Sequence, residues 1–378
     1  MRILHLCSYS LYSGPIPATL GLALAQQQLG HTVYLGYDRK RGAFNDYEEA
    51  AAPWIEPRAL TPPRSLTLSA KSSPLEYVHD LVGLRALYRA VDVVHLHLSH
   101  DHTLAALAGK PFRLPLVRTL HSARSVERRF GQRWLHSRVD GLIVRCAAHR
   151  ELLRQRFGIE SAGVRVIKGS IDAARFEPAS AAARLRARAR FELPADAPVL
   201  CHVALIAGRG QEELVAAVKL LGARAPRVLF VGRGEGEAAL RRAVDAAGVG
   251  TRVRFAGYLQ GEALLDAYAA ADAAFLAVPG NDASMRAALE AMASALPLIA
   301  VTEDALGELC SVETGFPLQS RDPAAIAAGL SAWLESGGAA RARGLAGRAA
   351  VERERTFASE ARATLAFYDS LLTRGRVA

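Results

Sequence analysis

The sequence predicts an α/β protein built from two doubly wound domains. Apolar runs of four to seven residues alternate with amphipathic segments of ten or more, the pattern of βαβ units and parallel sheets. That alternation pauses once, in the Arg/Ala/Pro-rich stretch SIDAARFEPASAAARLRARARFELPADAP, and then restarts. A chain of 378 residues also exceeds the size at which one core keeps growing.

In the first half, strands are expected at 2–7, 32–36, 92–97, 115–120, 141–145 and 164–168. Helices fall between them at about 17–29, 74–90, 101–109 and 147–157. The segment DRKRGAFNDYEEAAAPWIEPRALTPPRSLTLSAKSS has no clear period and holds four prolines, so it reads as loop. In the second half, strands follow at about 198–203, 226–231, 252–255, 273–277 and 297–301. The helices there are 210–221, 236–248, 261–270, 284–294 and 323–335. The expected domains are 1–180 and 195–356, joined near 178–194, with ligands at the carboxyl ends of the strands and in the cleft between the halves. The closing segment FASEARATLAFYDSLL carries Phe357, Ala361, Leu365, Tyr368 and Leu372 at helical spacing and needs an apolar surface to lie on.

Four scattered cysteines in apolar contexts form no CxxC and read as reduced and buried. No apolar run reaches the ~18 residues of a membrane span, and the opening MRILHLCSYSLYSG reads as a strand rather than a signal peptide. A cytoplasmic protein is the expectation. Charge is uneven: residues 1–190 hold 28 Lys/Arg against 15 Asp/Glu, and residues 191–378 hold 19 against 22. Twelve basic and three acidic side chains fall within 110–156, which suits an anionic partner such as acidic phospholipid or a phosphorylated glycan. Nucleic acid is disfavoured, because no aromatics interleave with the basic residues. Arg outnumbers Lys throughout, so compositional bias is the competing account.

The most specific stretch is PGNDASMRAALEAMASALP. Asp282 and Ser284 suit the N-cap of a helix starting near Met285, whose free N–H groups favour phosphate. Glu290 then lies about 9 Å along the axis at 1.5 Å per residue. A carboxylate at each end and a helix start between them match a nucleotide diphosphate-sugar. Taken alone, the pair reads equally as a cap and a surface residue, but ALEAMASALPLIAV is too apolar for a surface face.

LEAMASALPLIAV, followed by ALGEL and ETGFPL, resembles the C-terminal motif of family 4 glycosyltransferases of the GT-B fold. That motif is an E-x7-E pair within E-x-F-G-x-x-x-L-E-A-M-A-x-G-x-P-V-V-A, then G-x-x-E-L and x-T-G-x-L. The likeness continues in SGPIPATLGLALAQQQLGHTV, VDVVHLH, VRTLHS, VRVIKGSIDAARFEP and RVLFVGRGEGEAALRRAVDAAGVGTRVRFAGYL, in the family's order. The resemblance implies two Rossmann-like domains facing a cleft, with 357–378 returning to the first. It implies a retaining, metal-independent transferase without a cofactor, moving sugar from a nucleotide-diphosphate sugar to a glycan or lipid-linked acceptor. Cell-surface polysaccharide or lipopolysaccharide synthesis, at the inner face of the membrane, is the expected setting.

Carried over residue by residue, Glu290 would accept from the nucleotide ribose and Asp282 from the donor sugar. Gly14 would let the first loop approach the diphosphate, and His121 would lie by the transferred sugar. Arg209 would meet the diphosphate, with Ser284, Met285 and Arg286 at the helix start completing the cradle. Three positions depart from the family. Ala204 stands for a phosphate-binding Arg, Met285 for a Gly, and the shorter Asp282 for a Glu. Arg209 or Arg286 would compensate for Ala204.

The run HLHLSHDH, with His95, His97, His100 and His102, also fits a metal site, or alternatively buried strand residues followed by a cap. One of His100 or His102 is a further candidate for the acceptor side. GRGEGE lacks the full dinucleotide spacing, and no Walker A or GxSxG element is present. Three rival readings stay open: a nucleotide-sugar 2-epimerase of the same fold, a non-catalytic nucleotide-sugar-binding paralogue, and a metal-dependent hydrolase.

Overall fold

A computed structural model describes residues 1–8, 15–38, 66–69, 71–109, 114–121, 123–127, 130–160, 163–278 and 282–377. The chain divides into two compact units, Met1–Ser170 with Phe357–Ala378, and Ile171–Thr356.

The first unit runs β1 (Arg2–Cys7), α1 (Ile16–Gln28), β2 (Thr32–Tyr37), α2 (Pro74–Leu87), β3 (Val93–Leu96), α3 (Ser99–Ala108), β4 (Leu116–Leu120), α4 (Gln132–His136), β5 (Gly141–Val144), α5 (Ala147–Phe157) and β6 (Val164–Val166). Among the described residues its six strands are all parallel, in the order β2-β1-β3-β4-β5-β6. The direction of winding therefore reverses between β1 and β3, the switch point at which such sheets bind ligands. Both faces of these strands are covered, which is why they read as near-continuous apolar runs. His5 lies beside His95, and His95 beside Val117. Alternation along each strand then puts His5, His95, His97, Thr119 and His121 on one face. Leu4, Leu6, Leu96 and Leu116 occupy the other, packed with Leu84 and Leu104 of the covering helices.

The second unit runs α6 (Ala181–Arg190), β7 (Val199–Val203), α7 (Gln211–Leu221), β8 (Arg227–Val231), α8 (Glu237–Ala247), β9 (Val253–Gly257), α9 (Gly261–Ala270), β10 (Ala273–Leu276), α10 (Asp282–Ala293), β11 (Leu298–Val301), α11 (Asp304–Gly307), β12 (Gly315–Leu318), α12 (Pro323–Glu335) and α13 (Gly338–Glu354). Its parallel sheet has the order β12-β11-β10-β7-β8-β9, with the switch point between β7 and β10.

The change of unit falls at 170/171, not near 178–194. The segment expected as a joint is helix α6, capped by Ser180 and anchored through Arg184 and Arg188 on Asp272. Its Arg/Ala composition is that of a good helix former. Helix α10 begins at Asp282, two residues before the expected 284; Asp is a residue type favoured at a helix start, and Ala283 is a good helix former. It ends in a Schellman closure: Leu296 N–H donates to Ala291 O, and Ala295 N–H to Met292 O. The residue at the left-handed position is Ala295, at φ 57°, where the family motif carries Gly.

After the second unit the chain re-enters the first as α14 (Phe357–Val377). Ala361 packs on Leu22 and Ala25 of α1, while Leu365, Phe367, Tyr368 and Leu371 cover Ile3, Val93, Val117 and Ile143. Glu360 forms a buried ion pair with Arg145 Nη1 at 2.6 Å and accepts from Ser170 Oγ. The basic stretch 110–156 is therefore not a uniform surface. Arg118 and Arg145 are buried, Arg154 pairs with Glu151, and Arg138 stacks on Trp134.

Candidate active site

In the second unit, three loops gather at the carboxyl ends of β7, β8 and β10. Gly210, at φ 90°, precedes α7, and a Cβ there would overlap Ala277 at the end of β10. The two loops that flank the switch point are thus in direct contact. Gly232 and Gly234 press the β8 loop onto the carbonyls of Ala204 and Ile206. Ile206 N–H donates to Arg233 O, and Gly236 N–H to Ile206 O. These contacts account for GRGEGE: the glycines permit close packing of one loop on another.

Arg209 stands in the β7–α7 loop, half-buried, with its backbone N–H donating to Gln211 Oε1. Ala204 begins the same loop, its N–H donating to Val231 O. The first turn of α10 holds Asp282, Ser284 and Met285; the helix start at Asp282 lies eight residues, about 12 Å along the axis, before Glu290, and Ser284 six residues, about 9 Å, before it.

Glu290 is 3% exposed. Tyr268 Oη donates to its Oε2 at 2.9 Å, and Arg286 Nε to its Oε1 at 2.7 Å. Burial, and next the charge of Glu290, push the Tyr268 hydroxyl well above its ordinary range, so it remains a donor. Arg286 therefore pairs with Glu290 one helical turn away, which neutralises a buried carboxylate. Tyr268 was not among the expected residues; its signal was a lone Tyr in the apolar segment YAAADAAFLAV. At the end of β9, the half-exposed Tyr258 lies under the Arg233 guanidinium, 4.8 Å from ring centroid to Cζ.

In the first unit, Asp101 accepts from Ser8 N–H and Leu98 N–H, both at 2.9 Å, and so ties together the ends of β1 and β3 at the switch point. Burial raises its pKa. Arg118, on the opposite side of the strand from the histidines, is pushed down to about 10 by burial and stays charged. His121 is buried at the end of β4, its Nε2 3.1 Å from His97 Nδ1. His97 Nε2 lies 3.0 Å from His5 Nδ1, and His5 Nε2 lies 2.7 Å from Gln26 Oε1. His95 Nε2 meets Thr119 Oγ1 and its Nδ1 meets Tyr368 Oη.

His5, His95 and His97 lie close enough for a common metal ion. Both ring nitrogens of each, however, already have partners within the chain, and burial depresses all three pKa values, that of His5 to about 4. The geometry is that of a neutral hydrogen-bonded layer between the sheet and helices α1 and α14. His102 is buried against His136, and His100 lies edge-on to Tyr77. His121 thus belongs to the first unit, while Arg209, Asp282, Ser284, Met285, Arg286 and Glu290 belong to the second. Gly14 lies outside the described residues.

Residues 18–175 match the model of Glycosyltransferase Family 4, and residues 197–336 that of Glycosyl transferases group 1. The chain is 30% identical over 308 residues to the D-inositol 3-phosphate glycosyltransferase of Xylanimonas cellulosilytica, covering 73% of this chain and 71% of the relative. A GDP-mannose-dependent monoacylated phosphatidylinositol monomannoside mannosyltransferase of Corynebacterium glutamicum is 30% identical over 199 residues, half of each chain. A glycosyltransferase of Rickettsia africae superposes with a TM-score of 0.81 at 16% identity, over 98% of both chains. HepE of Anabaena, solved with UDP and glucose, gives 0.79 at 17% identity over 98% of this chain and all of that one. The two parallel units are thus those of GT-B proteins, and the chain belongs to the family 4, group 1 glycosyltransferases.

Proposed function

We propose that this glycosyltransferase takes a sugar from a nucleoside diphosphate sugar and places it, with retention, on a hydroxyl of a phosphate-bearing acceptor. The observation that carries the donor half is the contact of the β7 and β10 loops at Gly210 and Ala277, with Arg209 on one loop and the start of α10 after the other. Arg209 and the α10 N–H groups would hold the diphosphate, Asp282 the sugar, Glu290 the ribose, and Tyr258 would offer a flat surface to the base. Ser284, Met285 and Gly14 would line the diphosphate, and His121 the sugar. In the reaction the acceptor oxygen bonds to the anomeric carbon as the bond to the diphosphate oxygen breaks. The acceptor proton passes to the departing diphosphate, whose growing charge Arg209 and the helix start stabilise.

The acceptor half rests on charge and kinship. The first 190 residues carry the basic excess, and both relatives described above have names that include a phosphorylated inositol. A lipid-linked or lipopolysaccharide-type acceptor is supported by α2, whose Leu75, Val78 and Val82 are exposed at helical spacing beside Lys71. Among the described residues no helix is long and apolar enough to cross a membrane.

The test is a thermal-shift panel of UDP, GDP, ADP and their sugars with and without chelator, followed by donor hydrolysis. Stabilisation by one nucleotide family and chelator-insensitive hydrolysis are expected. Tight binding without turnover would favour a non-catalytic paralogue, and loss in chelator a metal-dependent enzyme. Equal affinity for neutral and acidic vesicles would remove the membrane component.

A further inference from the structure

The β7–α7 loop and the first residue of α7, residues 204–211, carry one charged side chain, Arg209. It stands between Gly208 and Gly210, both in the left-handed region at φ 65° and 90°. A Cβ at Gly208 would meet nothing within 4 Å, so its surroundings do not wedge the chain there. Glycine on either side of a residue leaves its backbone many conformations. What narrows them is Gln211, the first residue of α7, whose buried side chain folds back over the loop. Its Oε1 accepts from Arg209 N–H at 2.7 Å, and its Nε2 donates to Leu205 O at 2.9 Å. A backbone N–H only gives and a C=O only receives, so the amide has one orientation and both bonds are determined. One side chain thus closes the loop into a ring from Leu205 to Gln211. At its far edge Gly210 leaves no room for a Cβ against Ala277, which seats the loop on the end of β10.

We infer that Gln211 is a positioning residue: through the Arg209 N–H it holds the backbone from which the Arg209 guanidinium reaches a nucleoside diphosphate. The inference rests on the proposed placement of Arg209 at the diphosphate. Because the Arg209 N–H already donates to Gln211, this residue meets an anion through its guanidinium alone. A guanidinium on an unfixed Gly-Arg-Gly backbone must lose backbone freedom on binding. On a fixed backbone it loses only side-chain rotamers. Ala204 gives this weight, since a loop without the family's Arg depends on the aim of its one cation. The tie is local, with Leu205, Arg209 and Gln211 all in the second unit. The fold does not depend on it: without the amide, Leu205 O keeps the N–H of Ala207, and the half-buried Arg209 can turn its N–H to water.

The experiment is a double-mutant cycle on the full chain. Calorimetry measures the binding of UDP, GDP and ADP, NMR the hydrogen exchange of the Arg209 amide, and urea midpoints the fold. Gln211→Met keeps the length of the side chain and removes both bonds. It should speed exchange at the Arg209 amide and weaken nucleoside diphosphate binding about ten-fold, within the range of couplings inside one hydrogen-bond network. Arg209→Ala should weaken binding about ten-fold or more. The double variant should bind no more weakly than Arg209→Ala, because the glutamine acts through the arginine. Losses that add in the double variant would make Gln211 a general support of the loop and overturn the inference. So would unchanged affinity in Gln211→Met, a Gln211→Met chain that no longer folds, or an Arg209 amide that exchanges freely in the wild type. In each of those cases a weakened Arg209→Ala leaves the placement of Arg209 intact. No loss in Arg209→Ala, or no binding of any of the three nucleotides to the wild type, would remove that placement and the inference with it.

Discussion

The Tyr268 hydroxyl donates to Glu290 Oε2 at 2.9 Å, linking α9 to α10 through a phenol and a carboxylate that are both buried. With Arg286 on the other oxygen, the carboxylate has one neutral and one charged donor and a fixed plane. In the proposed ribose role it would already be oriented, which lowers the ordering cost of accepting from hydroxyls.

Tyr268→Phe removes the neutral donor and leaves the packing. Hydrogen bonds to charged groups contribute about 1.5–3 kcal/mol, so unfolding free energy should fall by about 2 kcal/mol. Nucleoside diphosphate affinity should drop about ten-fold, equivalent to ~1.4 kcal/mol. Urea unfolding and titration calorimetry measure the two separately, and an unchanged affinity would take Glu290 out of the nucleotide site.

Ala295 occupies the left-handed closing position of α10, and Gly344 packs so tightly on its carbonyl that the turn has no room to shift. The left-handed conformation costs a residue with a Cβ about 1–2 kcal/mol, partly offset by the greater freedom of Gly in the unfolded chain. Ala295→Gly should therefore raise stability by about 0.5–1 kcal/mol without altering turnover. A lower melting temperature would contradict the strain.

Ala204→Arg restores the cation at the position where the family carries a phosphate-binding Arg. It should tighten nucleoside diphosphate binding by roughly ten-fold or more, as a charge-assisted hydrogen bond does. Calorimetry showing equal or weaker binding would count against that correspondence.

Burial holds His5 and His136 down to about 4 and His102 to about 3, with the charge of Arg118 adding to the last two. In the unfolded chain each titrates near 6.5. Between those values the unfolded state binds more protons than the native one, so stability rises with pH. It is whole above about pH 6.5 and is lost progressively toward pH 4, at up to about 1.4 kcal/mol per pH unit for each histidine. His202, also held at about 4, extends the effect to the second unit. A urea midpoint equal at pH 7.5 and pH 5 would refute this.

Alternation and turn chemistry made most elements legible in advance. Strands at 2–7 and 32–36 and helices at 147–157, 261–270 and 323–335 stand within a residue of expectation, because each carries its own period and stop signals. Helix α6 was hidden by its Arg-rich face, which imitates a linker until Asp272 supplies a partner. Strand β12, four residues with a central proline, has too few positions to show a period. In the site, Glu290 stood out as a carboxylate in an apolar run. Tyr268 and the row from Gln26 to His121 did not, because their meaning lies in pairings across helices and strands that only the register of the sheet reveals.

The return of α14 to the first unit sets an order on vectorial synthesis. When the ribosome has finished β6, the sheet of the first unit exists but its face bearing Ile3, Val93 and Ile143 has no cover, and His95 lacks Tyr368. The whole second unit must emerge before that cover is made. The half of the chain translated first is thus the half that matures last, and in the interval it exposes an apolar sheet face with a polar seam, a surface that chaperones hold.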